Sequence, residues 1–156
     1  MIAQTLIAEV LDTQNEFWLQ KDTSVPREKS AAIKVYAGFA SIITGIRRCG
    51  KSTLLRQLLS TVSGNTIFLN FEDPRLTGFE RDDFRRLDLE LKNRKTKNLF
   101  FDEIQMLDNW ELYVRQKLDE GFNVIVTGSN PTLLSKEMGT KLTGRHLSGE
   151  LFPFSF

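Results

Sequence analysis

The chain has 156 residues, of which 40% are hydrophobic, so it is long enough to bury the core of one domain. Its 21 basic and 20 acidic residues give a net charge of +1, which excludes a global electrostatic attraction for nucleic acid or anionic membrane. The single cysteine excludes an intrachain disulfide, and neither a signal peptide nor an apolar run of membrane-spanning length is visible. We therefore expect a cytoplasmic protein with no membrane association.

The N-terminal part of the chain predicts a helix followed by a connector. Apolar residues recur near helical spacing across Ile2–Leu19, which indicates an amphipathic packing helix. The polar stretch Lys21–Lys29 is typical of a connector, and Ser30–Tyr36 predicts a second short helix. We therefore divide the chain into an N-terminal helix and connector at 1–29 and a core at 30–156.

A glycine-rich stretch lies between a predicted strand and a predicted helix. Phe39–Thr44 is apolar and β-branched, typical of a buried strand, and Thr53–Leu59 has a helical pattern without Pro or Gly. Between them, Gly45–Ser52 reads G-x-x-x-x-G-K-S, the pattern of a phosphate-binding loop. In such a loop the backbone N–H groups and the N-terminus of the following helix face the phosphate oxygens.

The residue types in this loop fit phosphate chemistry. Glycines let the backbone approach the ligand closely, Lys51 is expected to reach the β- and γ-phosphates, and the Ser52 hydroxyl is expected to hold Mg²⁺. Cys49 is expected to contribute only its backbone N–H. The predicted nucleotide-binding residues are Gly45, Arg47, Arg48, Cys49, Gly50, Lys51, Ser52 and Thr53, joined by Ser129 from a later strand.

Two further strands and a charged helix follow. Thr66–Phe71 predicts a second buried strand, and Phe79–Lys92 predicts a helix whose acids and bases are most simply a solvated surface. Asn98–Glu103 predicts a third strand, in which three apolar residues precede two carboxylates. A helix is predicted over Asn109–Glu120, with Asp108 as its cap and Gly121 closing it.

The last part of the chain predicts one clear strand and weaker elements. Asn123–Thr127 is typical of a buried strand, and it ends in Gly128-Ser129-Asn130. A short helix is predicted over Thr132–Glu137 and a mobile loop carrying Arg145 over Gly139–Gly149, and Leu151–Phe154 is expected to begin a last strand.

Strands that alternate with helices predict an α/β fold with a mainly parallel central sheet. Ligands of such sheets bind at the carboxyl ends of the strands. The glycine-rich stretch, Asp102-Glu103 and Ser129-Asn130 all follow predicted strands, so we expect them to meet at one edge.

The two carboxylates suggest complementary roles beside the loop. Asp102 is expected to hold a Mg²⁺-bound water or the Ser52 hydroxyl, and Glu103 to orient and deprotonate the water that attacks the γ-phosphate. The alternative is that both are ordinary surface acids after a core strand.

These motifs resemble those of AAA+-type ATPases, a group of P-loop NTPases. Gly45–Ser52, Leu99–Glu103 and Val124–Asn130 are similar to the Walker A, Walker B and sensor 1 elements. The residues in and around these motifs resemble more closely those of a group of uncharacterised bacterial and archaeal AAA-type ATPases. The resemblance covers residues 30–156. It is carried by Thr44–Arg48, Asp102–Gln105, Val126–Asn130, Leu142–Arg145 and Leu151–Phe156.

The resemblance implies a three-layer α/β/α sandwich and further site residues. Ser129 or Asn130 would be the sensor 1 residue, and Arg145 an arginine finger or second sensor. Asn70 could restrain Glu103 until a partner engages. The resemblance also implies a homo-oligomer and a further domain of unknown function beyond Phe156, so we expect the core to be truncated at its C-terminus.

Two function classes share these residues. One is a Mg²⁺-dependent ATPase that couples hydrolysis to conformational change, and the other is a switch that senses ATP or ADP with little turnover. A DNA-associated ATPase is a weaker alternative, because the basic residues between Arg81 and Lys97 alternate with acids. The guanine-reading Asn-Lys-x-Asp motif of GTPases is absent from the sequence, and His146, the only histidine, lacks a neighbouring zinc ligand.

Overall fold

The structure is a computed structural model that describes residues 2–20, 40–44, 64–129 and 146–150. Its helices, numbered within this part of the chain, are α1 (Gln4–Gln20), α2 (Asp83–Asn93) and α3 (Trp110–Asp119). Its strands are β1 (Ala40–Thr44), β2 (Asn65–Asn70), β3 (Thr96–Asp102), β4 (Asn123–Gly128) and β5 (His146–Glu150). Two 3₁₀ turns, Pro74–Leu76 and Ile104–Met106, follow β2 and β3.

The five strands form one sheet in the order β2-β3-β4-β1-β5, and every neighbouring pair is parallel. The strands are apolar on both faces: Leu99 and Phe101 point to one side of β3, Phe100 points to the other, and all three are fully buried. Burial of both faces is the usual condition of a parallel sheet covered by helices. The predicted α/β fold with a mainly parallel sheet and flanking helices is confirmed.

Helices α1, α2 and α3 share one hydrophobic core with a face of the sheet. Trp110 from α3 is the largest side chain in this core and is 1% exposed. The predicted apolar stripe of α1 is confirmed, since Ile2, Ile7, Val10 and Leu11 are all buried. The N-terminal helix therefore packs into the same core as the sheet.

The outer edge of β2 is covered by two amide side chains of α1. Asn15 accepts from the backbone N–H of Phe68 and donates to its carbonyl, both at 2.9 Å. Gln14 does the same at Asn70, at 2.7 Å from its N–H and 3.1 Å from its carbonyl. Phe68 and Asn70 are two residues apart, so their backbone groups point to the same edge. The helix thus supplies the hydrogen bonds that a further strand would otherwise make.

The charged helix α2 differs from its prediction at two acids, because Asp83 and Glu90 are both buried. Asp83 is completely buried and accepts from the backbone N–H of Ile2 at 2.9 Å, from that of Glu80 at 2.8 Å and from Arg86 at 3.0 Å. The expectation that its acids and bases are only a solvated surface is therefore wrong at both acids, and Asp83 fastens the N-terminus of the chain to α2.

The predicted cap of α3 is also wrong, while its predicted end is confirmed. The N-cap residue is Asn109 rather than Asp108, and it has a left-handed backbone with φ of 60° and no capping bond from its side chain. At the other end, Gly121 has φ of 93°, and the N–H of Phe122 bonds the Lys117 carbonyl at 3.0 Å. A positive φ at this position is the usual reason for glycine after a helix.

Strand β5 replaces part of a predicted loop. His146–Glu150 pairs with β1, although Gly139–Gly149 was expected to be a mobile loop. The turn-forming residues suggested a loop, but pairing with β1 outweighs this local preference. The predicted elements at 30–36, 53–59, 132–137 and 151–154 lie outside the described residues.

Candidate active site

The carboxyl ends of the parallel strands lie along one edge of the sheet. The register places Thr44 beside Gly128, and Asn70 beside Asp102. The glycine-rich stretch Gly45–Ser52 follows Thr44 directly in the sequence. The strand leading to that stretch, the acidic strand and β4 therefore end on the same side, as predicted.

Asp102 and Glu103 follow one another at the end of β3 and are 3% and 5% exposed. Buried carboxylates need hydrogen-bond partners, because their desolvation is otherwise costly. The hydroxyl of Thr127 in β4 donates to Asp102 Oδ1 and accepts from the backbone N–H of Glu103 at 3.1 Å. One fully buried hydroxyl therefore joins the two acidic residues.

Ser129 follows β4 and contacts the Glu103 carboxylate directly. Its Oγ lies 2.7 Å from Oε1 and 2.6 Å from Oε2 of Glu103. A hydroxyl carries one proton, so it donates to one of these oxygens at a time. The structure thus brings together three of the predicted site residues: Asp102, Glu103 and Ser129.

Gln105 holds the same carboxylate from the turn that follows β3. Its Nε2 donates to Glu103 Oε2 at 2.6 Å. Its Oε1 is buried and, within the described part of the chain, makes no hydrogen bond. Turning the amide round would place this oxygen against the carboxylate, so the donor orientation prevails although it leaves Oε1 unsatisfied.

The backbone of Glu103 has a left-handed conformation, with φ of 56° and ψ of 49°. This conformation costs a residue other than glycine about 1–2 kcal/mol. The bond from its N–H to Thr127 stabilises the turn, and the following 3₁₀ turn brings Gln105 back towards the Glu103 side chain. Such strain is typical of residues whose position is imposed by a site.

Asn70 does not have the expected contact with Glu103. Its side-chain oxygen accepts from the backbone N–H of Glu72 at 2.9 Å. The described partners of the Glu103 carboxylate are instead Ser129 and Gln105. The expectation that Asn70 restrains Glu103 is therefore wrong.

A family model described as an AAA domain matches residues 38–156. The chain belongs to this AAA domain family. The matched range begins just before β1 and includes the glycine-rich stretch and both acidic residues. The resemblance to P-loop NTPases of the AAA type is thereby confirmed, and with it the general character of a nucleotide-binding ATPase domain.

Two curated relatives extend this comparison. The chain is 44% identical over 126 residues to an "Uncharacterized protein" of Methanocaldococcus jannaschii, a match covering 80% of this chain and 29% of the relative. It is 36% identical over 129 residues to an "Uncharacterized protein" of Haemophilus influenzae, covering 76% of this chain and 32% of the relative. The chain therefore spans about a third of the length of these relatives.

Several predicted site residues of this AAA domain lie outside the described residues. The residue after Arg145, His146, pairs with Ala40 at the amino end of β1, whereas Asp102 ends β3 at the opposite edge. The predicted residues outside the described ranges are Gly45, Arg47, Arg48, Cys49, Gly50, Lys51, Ser52, Thr53, Asn130 and Arg145.

The described oxygen ligands of the AAA domain are compatible with a magnesium ion that is bound together with a nucleotide. In the described part of the chain, no three His, Cys, Asp or Glu side chains gather into a metal cluster. Magnesium bound to a nucleotide does not need such a cluster, since phosphates and waters complete its shell around one or two protein ligands. The Asp102 carboxylate, which accepts a hydrogen bond from Thr127, is an oxygen ligand of the kind that such coordination uses.

Two residues of the site were not singled out in the sequence. Thr127 is the hydroxyl residue that closes the apolar run of β4, two positions before Ser129, and the hydroxyls of both residues contact Glu103. Gln105 follows Glu103 by two positions. The spacing of Thr127 from Ser129 was a usable signal, whereas the contact of Gln105 depends on the left-handed turn at Glu103.

None of the helices in the described part of the chain is both long and apolar enough to cross a bilayer.

Proposed function

We propose that this AAA domain binds ATP with Mg²⁺ and hydrolyses it, and that hydrolysis drives a conformational change in an oligomer. The observation that carries the proposal is the contact of Ser129 with the Glu103 carboxylate, beside Asp102 and at the edge where β1 leads into Gly45–Ser52. A base, a metal ligand and a polar sensor at the edge of the sheet where the phosphate-loop strand also ends form the set that hydrolysis of a terminal phosphate needs.

Each residue has a distinct part in this proposal. The backbone of Gly45–Thr53 cradles the phosphates, and Lys51 neutralises charge on the β- and γ-phosphates. Ser52 and Asp102 would hold Mg²⁺, which would neutralise negative charge on the phosphates. Glu103 takes the proton of the attacking water, and Ser129 or Asn130 orients that water.

Arg145 is assigned to the nucleotide of a neighbouring subunit. The residue after it, His146, begins β5 beside Ala40, four residues before Thr44. At ~3.3 Å per residue, this is about 13 Å along β1 from the carboxyl edge. The distance of His146 from the carboxyl edge supports a role for Arg145 at a neighbour's nucleotide, where it would stabilise transition-state charge.

A switch with little turnover is the second candidate. It is favoured by the state of Glu103, whose two carboxylate oxygens are engaged by Ser129 and Gln105. A base held by such donors must be released before it can accept a proton from water. The two candidates share the binding residues and differ in whether that release takes place.

The length of the relatives supports a protein with more than this domain. We extend the proposal to a helix and connector at 1–29, an ATPase core at 30–156 and a further C-terminal domain. The core would then be the motor or sensor for that domain.

The test uses two variants of the full-length protein. Lys51→Ala should weaken ATP binding at least about tenfold, because a point charge on the terminal phosphates is lost, whereas Lys92→Ala on the exposed surface of α2 should not. Unchanged ATP affinity of Lys51→Ala in calorimetry would refute the assigned site.

The second variant separates hydrolysis from sensing. Glu103→Gln keeps the side-chain shape but removes the base, so it should bind ATP while phosphate release falls at least about a hundredfold. The exposed Glu80→Gln is the matched control. Equal phosphate release by wild type and Glu103→Gln would remove Glu103 from the mechanism. No release from either in the complete protein would favour the switch.

A further inference from the structure

Thr127 links the two acidic residues of the candidate site. It is completely buried near the carboxyl end of β4, and its one hydroxyl contacts both acidic residues. Strand β4 lies between β3, which carries the acids, and β1, which leads into the glycine-rich stretch. The Thr127 backbone is aligned with Ile43 of β1.

We infer that Thr127 is a positioning residue, whose hydroxyl sets the Asp102 carboxylate for the metal and fixes the backbone turn that presents Glu103. This inference rests on the proposed function, because it concerns the metal and base of that reaction. Thr127 itself touches neither the water nor the phosphates in this scheme.

The first half of the argument concerns Asp102. A hydrogen bond from Thr127 to Oδ1 restricts rotation of the carboxylate and decides which oxygen faces away from β4. Residues that orient a metal ligand in this way commonly contribute about 10–100-fold to metal affinity or activity. Loss of the hydroxyl should therefore weaken the effect of Mg²⁺ on nucleotide binding.

The second half concerns Glu103. Its N–H is taken by Thr127 at 3.1 Å while its backbone is left-handed. Without that acceptor, the buried N–H loses a partner and the turn loses a bond that offsets its strain. The side chain would then leave the position in which Ser129 and Gln105 hold it.

The experiment compares two substitutions at one position. Thr127→Val keeps the shape but removes the hydroxyl, whereas Thr127→Ser keeps the hydroxyl and removes a methyl group. Calorimetry measures ATP affinity with Mg²⁺ and with excess chelator, and the ratio of the two is the readout. We expect this ratio to fall about tenfold or more in Thr127→Val and to stay within about threefold of wild type in Thr127→Ser.

Thr96→Val is the matched control, because the same chemical change is made in the same sheet. The Thr96 hydroxyl is buried at the amino end of β3 and forms no hydrogen bond among the described residues. It should keep both the magnesium ratio and the melting temperature. A variant of Thr127 that does not fold is replaced by Thr127→Cys, whose thiol is a weak donor and acceptor.

A double-mutant comparison tests whether Thr127 acts through Asp102. Asp102→Asn should reduce the magnesium ratio, and adding Thr127→Val should reduce it little further, because interacting residues are not additive. Full additivity, or a Thr127→Val ratio equal to wild type, would overturn the inference. Absence of any ATP binding by the wild type would instead overturn the proposed function.

Discussion

At the scale of single residues, a positive φ occurs both at the candidate site and in an ordinary turn, and burial distinguishes the two. Glu103, Asn109 and Lys95 all have positive φ without being glycine. Glu103 is buried and has polar partners, so its strained backbone lies within the candidate active site. Lys95 is exposed and follows the last turn of α2, where the left-handed conformation serves only to end the helix.

Replacement of Lys95 by glycine should stabilise the protein. Its φ is 52°, and relief of the left-handed strain should add about 0.5–1 kcal/mol to the free energy of unfolding. Urea denaturation measures the change. Lys92→Gly, inside α2, should lower stability by about 1 kcal/mol, and a loss at both positions would contradict this account of the turn.

At the scale of elements, α1 is attached to the sheet by side chains that imitate a strand. Gln14 and Asn15 satisfy backbone groups of β2 that would otherwise be an open sheet edge. Gln14 also donates to Asp73 at 2.9 Å, so the helix is joined to the 3₁₀ turn after β2.

Asn15→Asp should detach this part of α1 from β2. The substitution keeps the side-chain size, but it sets a carboxylate oxygen against the Phe68 carbonyl where an N–H now donates. We expect a loss of about 1–3 kcal/mol in stability. Hydrogen exchange should show faster exchange at the Phe68 amide.

The exposed Glu16→Gln, one residue further along α1, is the control for that substitution. It should leave both stability and amide exchange close to wild type. Unchanged protection of Phe68 in Asn15→Asp would mean that the edge is held by packing alone.

The ion pair after β2 predicts a dependence of stability on pH. A hydrogen bond from Arg75, 2.9 Å away, holds the pKa of the Asp73 carboxyl well below its ordinary value, with Gln14 adding to the effect against the opposing influence of burial. A carboxyl group whose pKa is lowered by folding stabilises the folded state at pH values above its unfolded-state pKa of about 4. This contribution is lost as the pH falls through the folded-state pKa.

Asp73→Asn should therefore cost about 1 kcal/mol at pH 6, and the difference from wild type should shrink below pH 4. Chemical denaturation at pH 6, 4 and 3 measures it. Arg75→Gln removes the partner and should reproduce the trend. A difference that stays constant from pH 6 to pH 3 would exclude the ion pair as its cause.

At the scale of the whole molecule, Arg145 and Glu103 are expected to act at a shared nucleotide. Arg145→Ala subunits and Glu103→Gln subunits should each be nearly inactive alone. Mixing them should restore part of the phosphate release, because some interfaces then combine an intact base with an intact arginine. The expected reason is that an arginine supplied from a neighbour contributes about a thousandfold or more to the rate.

Turnover per subunit should also rise with protein concentration. Steady-state phosphate release across a dilution series measures this. The control mixture contains Arg85→Ala, a substitution at an exposed position of α2, in place of Arg145→Ala. A rate per subunit that stays flat on dilution, with no recovery on mixing, would place Arg145 in its own subunit's site or outside the reaction.

The basic residues between Arg81 and Lys97, which gave only weak support for DNA as a partner, are partly paired within the molecule. Arg86 pairs with Asp83 at 3.0 Å, and Arg94 pairs with Asp12 at 2.8 Å and with Glu90 at 3.2 Å. Charges that are paired in this way contribute less to an attractive field for phosphate backbones. The described surface therefore adds no support for a DNA-associated function.

The sequence alone determined the three described helices, four of the five strands and the edge of the sheet at which the candidate site lies. Apolar runs fix β1 to β4 because burial on both faces of a parallel sheet requires near-continuous apolar residues. The position of Asp102 and Glu103 after such a run predicted the acidic end of β3, since the carboxyl ends of parallel strands share one edge. These are local patterns, and local patterns are readable from a single chain.

Only the tertiary structure decided how the acids are held. The contacts of Thr127 and Ser129 with Asp102 and Glu103 join residues more than twenty positions apart in sequence, so they depend on strand order and register. The left-handed turn at Glu103 then brings Gln105 to its side chain. Pairing with β1 places His146–Gly149, which were predicted as part of a loop, in a strand. The hydrogen bond from Glu103 to Thr127 and the pairing of β5 with β1 are long-range contacts that outweigh the local preference, because buried polar groups must find partners wherever the fold supplies them.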